Sequence, residues 1–231
     1  MNDVWHLRNI DWLAQLGDDE LAALERGAVV RRYGRSEMVF SPTPSPQSVY
    51  LLESGLVRIF RLSEGGGETS FGYVAPGEVF GELPAFGDYP RESFAQAVRP
   101  SAVWRVPREN FLRAIGVHSA LVIQVTKQIG NRLKRIESRV EDLVFRSVRS
   151  RVARMLLELA RDFGRVEGGH RLIDVPITQG ELATLVGATR QTVNQTLREF
   201  ASEGLIGREN RRMVLYKPEE IRRLVEVPAP D

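Results

Sequence analysis

The chain has 231 residues, 42% hydrophobic and 27% charged, the composition of an ordinary soluble protein with room for two modest domains. It contains no cysteine, which excludes disulfides, thiolate redox sensing, zinc–cysteine sites and cysteine-ligated iron–sulfur clusters. The formal net charge of +2 conceals an asymmetry: there are 12 Lys and Arg against 15 Asp and Glu before His118, and 20 against 15 after it, so the second half is cationic and suits a phosphate-bearing partner.

No apolar run approaches the roughly 20 residues of a membrane-spanning helix. The opening MNDVWHLRNIDW lacks the basic start and apolar stretch of a secretory signal, so a cytoplasmic protein with no membrane partner is expected. Residues 1 to about 26 carry an amphipathic helical pattern, IDWLAQLGDDELAALERG, in which Asp18 is placed to cap a helix anchored by Leu21 and Leu24. From Val29 to Val106 the period changes. Six β-rich runs, AVVRRY, VYLLE, LVRIFRL, TSFGYV, FAQAV and AVWRV, recur between the glycine and proline clusters SPTPSP, EGGGE and APGE. They predict an antiparallel barrel or sandwich, with Pro42, Pro44 and Pro46 in a surface loop because proline cannot serve a central strand.

A long helical stretch follows, from about Ser119 to Phe145. Thr126, Ile129, Leu133, Ile136, Val140, Leu143 and Ser147 fall at alternating steps of three and four, a heptad seam whose five central residues are apolar. Its flanks are charged (Arg132, Lys134, Arg135, Glu137, Arg139, Glu141, Asp142), so the dry stripe is narrow. A narrow stripe predicts a parallel homodimer through Ile129, Leu133, Ile136, Val140 and Leu143; packing against the chain's own barrel is the alternative.

Beyond it, a helix rich in Val152, Met155, Leu156 and Leu159 leads to a glycine-rich turn, GRVEGGH, and the short apolar LIDVPI. Thr178 with Glu181 three residues on is a capping box opening a helix that carries Leu182, Leu185 and Val186 inward. Gly187 breaks that pattern, and Thr189 is placed to cap a second helix with a buried stripe of Val193, Leu197, Phe200 and Ala201. Two helices across a tight glycine turn predict a helix-turn-helix. LIGRENRRMVLY then reads as two strands around an arginine-rich tip, a wing, and PEEIRRLVEV as a closing helix with Pro218 at its start.

On a helix buried through Val193 and Leu197, the rotation of about 100° per residue turns Gln191, Gln195 and Arg198 outward, with Arg190 and Asn194 at the borders. Amide side chains can bond adenine at two points and arginine can do the same to guanine, so Arg190, Gln191, Asn194 and Gln195 are the candidate base-reading residues. Thr178 and Thr189 at the helix starts, with Arg198, Arg208, Arg211 and Arg212, are candidate phosphate contacts.

The order of these parts resembles the Crp/Fnr (cyclic-AMP receptor and fumarate-nitrate regulator) family of bacterial transcription regulators along nearly the whole chain. The resemblance rests on YLLESGLVRIF, APGEVFGEL, the long helix and ITQGELATLVGATRQTVNQTLREF. It implies an α+β protein: a cyclic-nucleotide-binding-type β-roll over residues 1–118, a dimerisation helix over 119–147 and a winged helix-turn-helix over 148–231. It implies a homodimer on a two-fold-symmetric double-stranded DNA site, with RNA polymerase as a further partner. In relatives that bind cyclic AMP, the residues matching Gly81, Glu82 and Arg91 hold the ligand. This chain departs at Glu92, where such relatives have a hydroxyl donating to phosphate, and at Ile136 and Glu137, where they have a hydroxyl pair reading adenine. A carboxylate beside an anion repels it, so cyclic AMP is not the expected effector. Gln191 and Gln195 replace the Glu and Arg by which many relatives read their half-site, so a different target sequence is expected, with the glutamines favouring adenine.

His6, His118 and His170 are scattered with no pair at metal-ligand spacing, so no metal and no cofactor is expected. SEGGGE lacks the helix and lysine of a phosphate loop, and Ser93 has no histidine neighbour in the sequence, so no catalytic residue and no enzyme is expected. The rival reading is a cyclic-nucleotide or other small-ligand sensor module whose C-terminal domain binds protein.

Overall fold

A computed structural model describes residues 17–87, 89–209 and 212–226, and the chain divides into two units, the first reaching Leu133 and the second beginning at Lys134. In the first unit, helix α1 (Asp18–Glu25) buries Leu21 and Leu24. Six antiparallel strands follow: β1 (Val29–Tyr33), β2 (Met38–Phe40), β3 (Ser48–Leu62), β4 (Glu68–Val74), β5 (Val79–Phe80) and β6 (Phe94–Pro107). Their order is β1-β6-β3-β4, with β2 also on β6 and β5 also on β3. The short helix α2 (Leu83–Phe86) separates β5 from β6, and α3 (Arg108–Val117) leads into the long helix α4 (Ser119–Phe145).

Successive residues of a strand point to opposite faces, and here both faces of β3 are covered. Tyr50 and Leu52 join Phe40, Phe80 and Val103 inside the roll, while Val49 and Leu51 join Trp104, Phe111, Leu121 and Val125 beneath the helices. That is why VYLL is continuously hydrophobic rather than alternating.

The strand boundaries correct the sequence reading: two pairs of runs merge, and the short β2 and β5 were not among the six runs. VYLLE and LVRIFRL are one strand of 15 residues, and FAQAV and AVWRV one of 14. The glycine and proline between each pair mark irregularities in pairing, with register shifts between Leu52 and Leu56, rather than turns. Gly55 has φ of 100°, and a Cβ there would stand 2.6 Å from the Pro100 carbonyl oxygen, so only glycine lets β3 pass β6 this closely. Ser101 seals the bulge by accepting from the Leu56 amide at 3.1 Å.

In the second unit, α5 (Val148–Phe163) buries Val152, Met155, Leu156 and Leu159, as its periodicity predicts. Ser147 does not continue the seam of α4; it caps α5, accepting from the Ser150 amide. A four-stranded sheet of order β7-β8-β10-β9 follows from β7 (Gly164–Glu167), β8 (His170–Ile173), β9 (Ile206–Glu209) and β10 (Arg212–Leu215). The predicted wing of two strands is thus half of a larger sheet. GRVE, read as part of a turn, is a strand because Gly168 and Gly169, both at positive φ, close a two-residue hairpin between Glu167 and His170. The closing helix α8 (Pro218–Glu226) buries Ile221 completely. Among the described residues no helix is long and apolar enough to cross a membrane.

Candidate nucleic-acid interface

The helix-turn-helix is built from local signals. Helix α6 (Gln179–Val186) starts at a complete capping box: the Thr178 hydroxyl accepts from the Glu181 amide at 3.1 Å, and the Glu181 carboxylate accepts from the Thr178 amide at 2.7 Å. It ends at Gly187, left-handed at φ 64°, ψ 48°. Arg151 on α5 then donates to the carbonyls of Val186 at 2.8 Å and Gly187 at 3.2 Å, placing a cation on the helix C-terminus and holding the turn. Helix α7 (Arg190–Ser202) starts at Thr189, whose hydroxyl accepts from the Thr192 amide.

Helix α7 is held by Val193, Leu197 and Phe200, as expected, and by Thr196 instead of Ala201, which is exposed. A hydroxyl tolerates that burial because it donates to the Thr192 carbonyl at 3.0 Å. On the other side Arg190, Gln191, Gln195 and Arg198 are exposed, and with Thr192 and Asn194 they line one continuous open surface. Asn194 is half-buried, and its Oδ1 is enclosed with no hydrogen-bond partner among the described residues. Sequence reasoning missed Thr192, whose hydroxyl lies 2.8 Å from that of Thr189.

The candidate phosphate contacts differ in how free they are. Arg198 and Arg208 are exposed. Arg212 pairs with Asp174 at 3.0 Å, and the hydroxyls of Thr178 and Thr189 are engaged in capping. Arg211 lies outside the described residues, as does His6.

On α4, Leu133, Ile136, Val140 and Leu143 are each about half-exposed in the single chain, while Ile129 packs partly against the core of the roll. The second unit ties its part of α4 to α5 through the buried Asp142, which accepts from Arg146 and Arg154, both at 2.8 Å, and through Arg135 with Asp162 at 3.6 Å.

In the first unit Gly81, Glu82 and Arg91 form a small polar cluster in which Glu82 and Arg91 are buried. Arg91 is buried, donates to the carbonyls of Ser48 at 2.7 Å and Gly81 at 2.8 Å, and lies 4.3 Å over the Phe40 ring. Burial lowers its pKa below the usual arginine range, while Tyr50 and Glu82 act in the opposite sense. Among the described residues its Nε has no hydrogen-bond partner. The buried Glu82 carboxylate accepts from Arg132 at 3.0 Å, and Arg132 also donates to the Val79 carbonyl. In the sequence Arg132 stands only among the charged flanks of the long helix, 50 residues from Glu82. Glu92 is exposed and pairs with Arg61 at 2.6 Å, so its charge beside Arg91 is balanced on the outer side. Ile136 and Glu137 are exposed on the part of α4 that belongs to the second unit. Among the described residues no group of three or more His, Cys, Asp or Glu is placed to hold a metal ion.

Comparison with known proteins matches both units. A family profile for the cyclic nucleotide-binding domain covers residues 30–118, and one for the Crp-like helix-turn-helix domain covers residues 150–224. The chain is 32% identical over 203 residues, 88% of its own length and 91% of the relative's, to a CRP-like cAMP-activated global transcriptional regulator of Mycobacterium tuberculosis. It is 32% identical over 176 residues, 76% and 78% of the two chains, to the cyclic AMP receptor protein of Thermus thermophilus. Among solved structures, a CRP/FNR-family transcriptional regulator from Thermus thermophilus superposes with a TM-score of 0.72 at 26% identity, covering 86% of this chain and 99% of that one.

Proposed function

The chain belongs to the Crp/Fnr family of bacterial transcription regulators, and from that premise we propose that it grips a two-fold-symmetric DNA site as a homodimer, one α7 in each of two successive major grooves. The outward face of α7 carries this reading: Arg190, Gln191, Gln195 and Arg198 stand exposed together on a helix capped at Thr189 and packed through Val193, Leu197 and Phe200. Arg190, Gln191, Asn194 and Gln195 read base edges. Arg198 and Arg208, with Arg211 and Arg212, meet phosphate, and the Thr178 and Thr189 helix starts approach the backbone. Pairing through Leu133, Ile136, Val140 and Leu143 sets the two helices about one DNA turn, roughly 34 Å, apart, so that both reach the same face of the duplex.

The protein acts in the cytoplasm, with RNA polymerase as a partner at the promoter. Its relatives are transcription regulators rather than enzymes, and no residue is assigned a catalytic role.

The two relatives above are described as cAMP-activated or as a cyclic AMP receptor, yet cyclic AMP is not the effector here. Glu92, paired outward with Arg61, supplies no hydroxyl donor for a phosphate where cyclic-AMP-binding relatives have one, and Ile136 offers no hydrogen bond to a base. Saturating cyclic AMP is expected to leave the affinity for the selected site unchanged.

Fluorescence anisotropy with a duplex at two salt concentrations tests the DNA reading. A dimer that neutralises about six to ten phosphates loses on the order of 10³-fold or more in affinity between 50 and 200 mM salt. A salt-independent interaction, as expected of a protein-binding tail, contradicts it.

A further inference from the structure

The amide of Gln195 can address a base edge in two opposite senses. Oxygen first, it accepts from an amino group, N6 of adenine or N4 of cytosine; nitrogen first, it donates to O6 of guanine or O4 of thymine. On an unconstrained surface residue the two states differ by a half-turn of the amide and are close in energy. Here the choice is made by a neighbour. One helical turn on, Glu199 Oε1 accepts from Gln195 Nε2 at 3.0 Å. An ionised carboxylate has lone pairs and no proton to give, so the amide end facing it is the NH₂, and the oxygen is turned away.

Glu199 is itself held. Its other oxygen accepts from Arg149 at 3.2 Å, and Arg149 donates through its second terminal nitrogen to both carboxylate oxygens of Glu203, at 2.7 and 2.6 Å. The Arg149 guanidinium lies 4.7 Å over the ring of Phe200, which is completely buried. The chain of contacts thus runs from the core of the winged unit, through a bidentate cation, to one carboxylate and then to one amide. Each link is partly exposed and individually weak, but together they leave the amide one favoured orientation.

We infer that Glu199, held by Arg149, sets the base preference of Gln195 by orienting its amide: adenine first, then cytosine, with guanine and thymine disfavoured. The amide nitrogen keeps its second hydrogen, so adenine can engage both ends, N6 on the oxygen and N7 on the NH₂, while cytosine engages the oxygen alone. Glu199 and Arg149 are positioning residues that act through Gln195. The inference rests on the proposal that α7 enters the major groove.

The test measures base preference at every half-site position for the full-length protein and for Gln195→Ala, Glu199→Gln, Glu199→Ala and Arg149→Met, with thermal unfolding recorded for each. Gln195→Ala marks the position it reads by flattening the preference there. At that position both Glu199 variants are expected to lower the preference for adenine and cytosine over guanine and thymine by about fivefold, the worth of one hydrogen bond. Arg149→Met should move the preference in the same direction. Positions assigned to Arg190 keep theirs. If both Glu199 variants retain the wild-type preference at the position that Gln195→Ala flattens, the orienting role is overturned while base reading by Gln195 stands. If Gln195→Ala flattens no position, base reading by Gln195 is what has failed, and the orienting role falls with it.

Discussion

Ile136→Asp combined with Val140→Asp is expected to convert the dimer into a folded monomer and to weaken binding to the symmetric site by at least two orders of magnitude. The two residues are 46% and 56% exposed in the single chain, so the carboxylates cost the isolated fold little. In a paired seam the same carboxylates, four per dimer, would face apolar residues with no partner cation inside the stripe, at several kcal/mol per desolvated charge. Loss of pairing then removes the second half-site as an effectively intramolecular partner, a factor of about 10² to 10⁴. Analytical ultracentrifugation and anisotropy on one duplex check both effects, with Ile136→Leu and Val140→Ile as variants that keep the stripe apolar. A double-Asp variant that remains dimeric would place the interface elsewhere.

Gly187→Val is expected to destabilise the winged unit by about 3 kcal/mol and to abolish specific binding at temperatures where the wild type still binds. The left-handed backbone at this residue costs an L side chain about 1–2 kcal/mol. A Cβ there would also stand 2.4 Å from a terminal methyl of Leu143, forcing that side chain off its rotamer for about another kcal/mol. The β-branched valine adds crowding within the turn that Arg151 holds closed. For a domain of this size, such a loss lowers the unfolding temperature by about 10 °C or more. Leu143 also lies on the exposed stripe of α4, so the same substitution disturbs a residue proposed for dimerisation. Thermal unfolding monitored by circular dichroism checks this; an unchanged transition would mean that the turn accommodates the extra atoms without strain.

The helix-turn-helix could be read from the sequence because each signal that builds it acts over a few residues. Thr178 and Glu181 cap reciprocally, Gly187 takes the left-handed turn, and Thr189 starts the next helix. The same locality explains the misplaced member of the buried stripe: apolarity favoured Ala201, whereas Thr196 satisfies its hydroxyl within its own helix and is buried instead. The roll was legible in class but not in its strand boundaries. Glycine and proline usually end strands, and only the pairing partner reveals that Gly55 marks a bulge where β6 passes close by. Contacts between distant residues left no spacing to detect. Arg132 with Glu82 and Arg149 with Glu199 each join positions 50 residues apart, and Arg151 reaches the helix-turn-helix from 36 residues away. These are the contacts that orient the candidate functional groups, so the identity of those groups was readable where their constraint was not.

Sequencing of duplexes selected from a random pool by the full-length protein, alongside Arg190→Ala and Gln191→Ala, bears most directly on the account. Inverted repeats with half-site centres about ten base pairs apart are expected to be enriched. Each substitution should relax one position per half-site, at a cost of about 1–3 kcal/mol per lost bidentate contact. Recovery of no shared motif, or of a motif without two-fold symmetry that both substitutions leave intact, would contradict it.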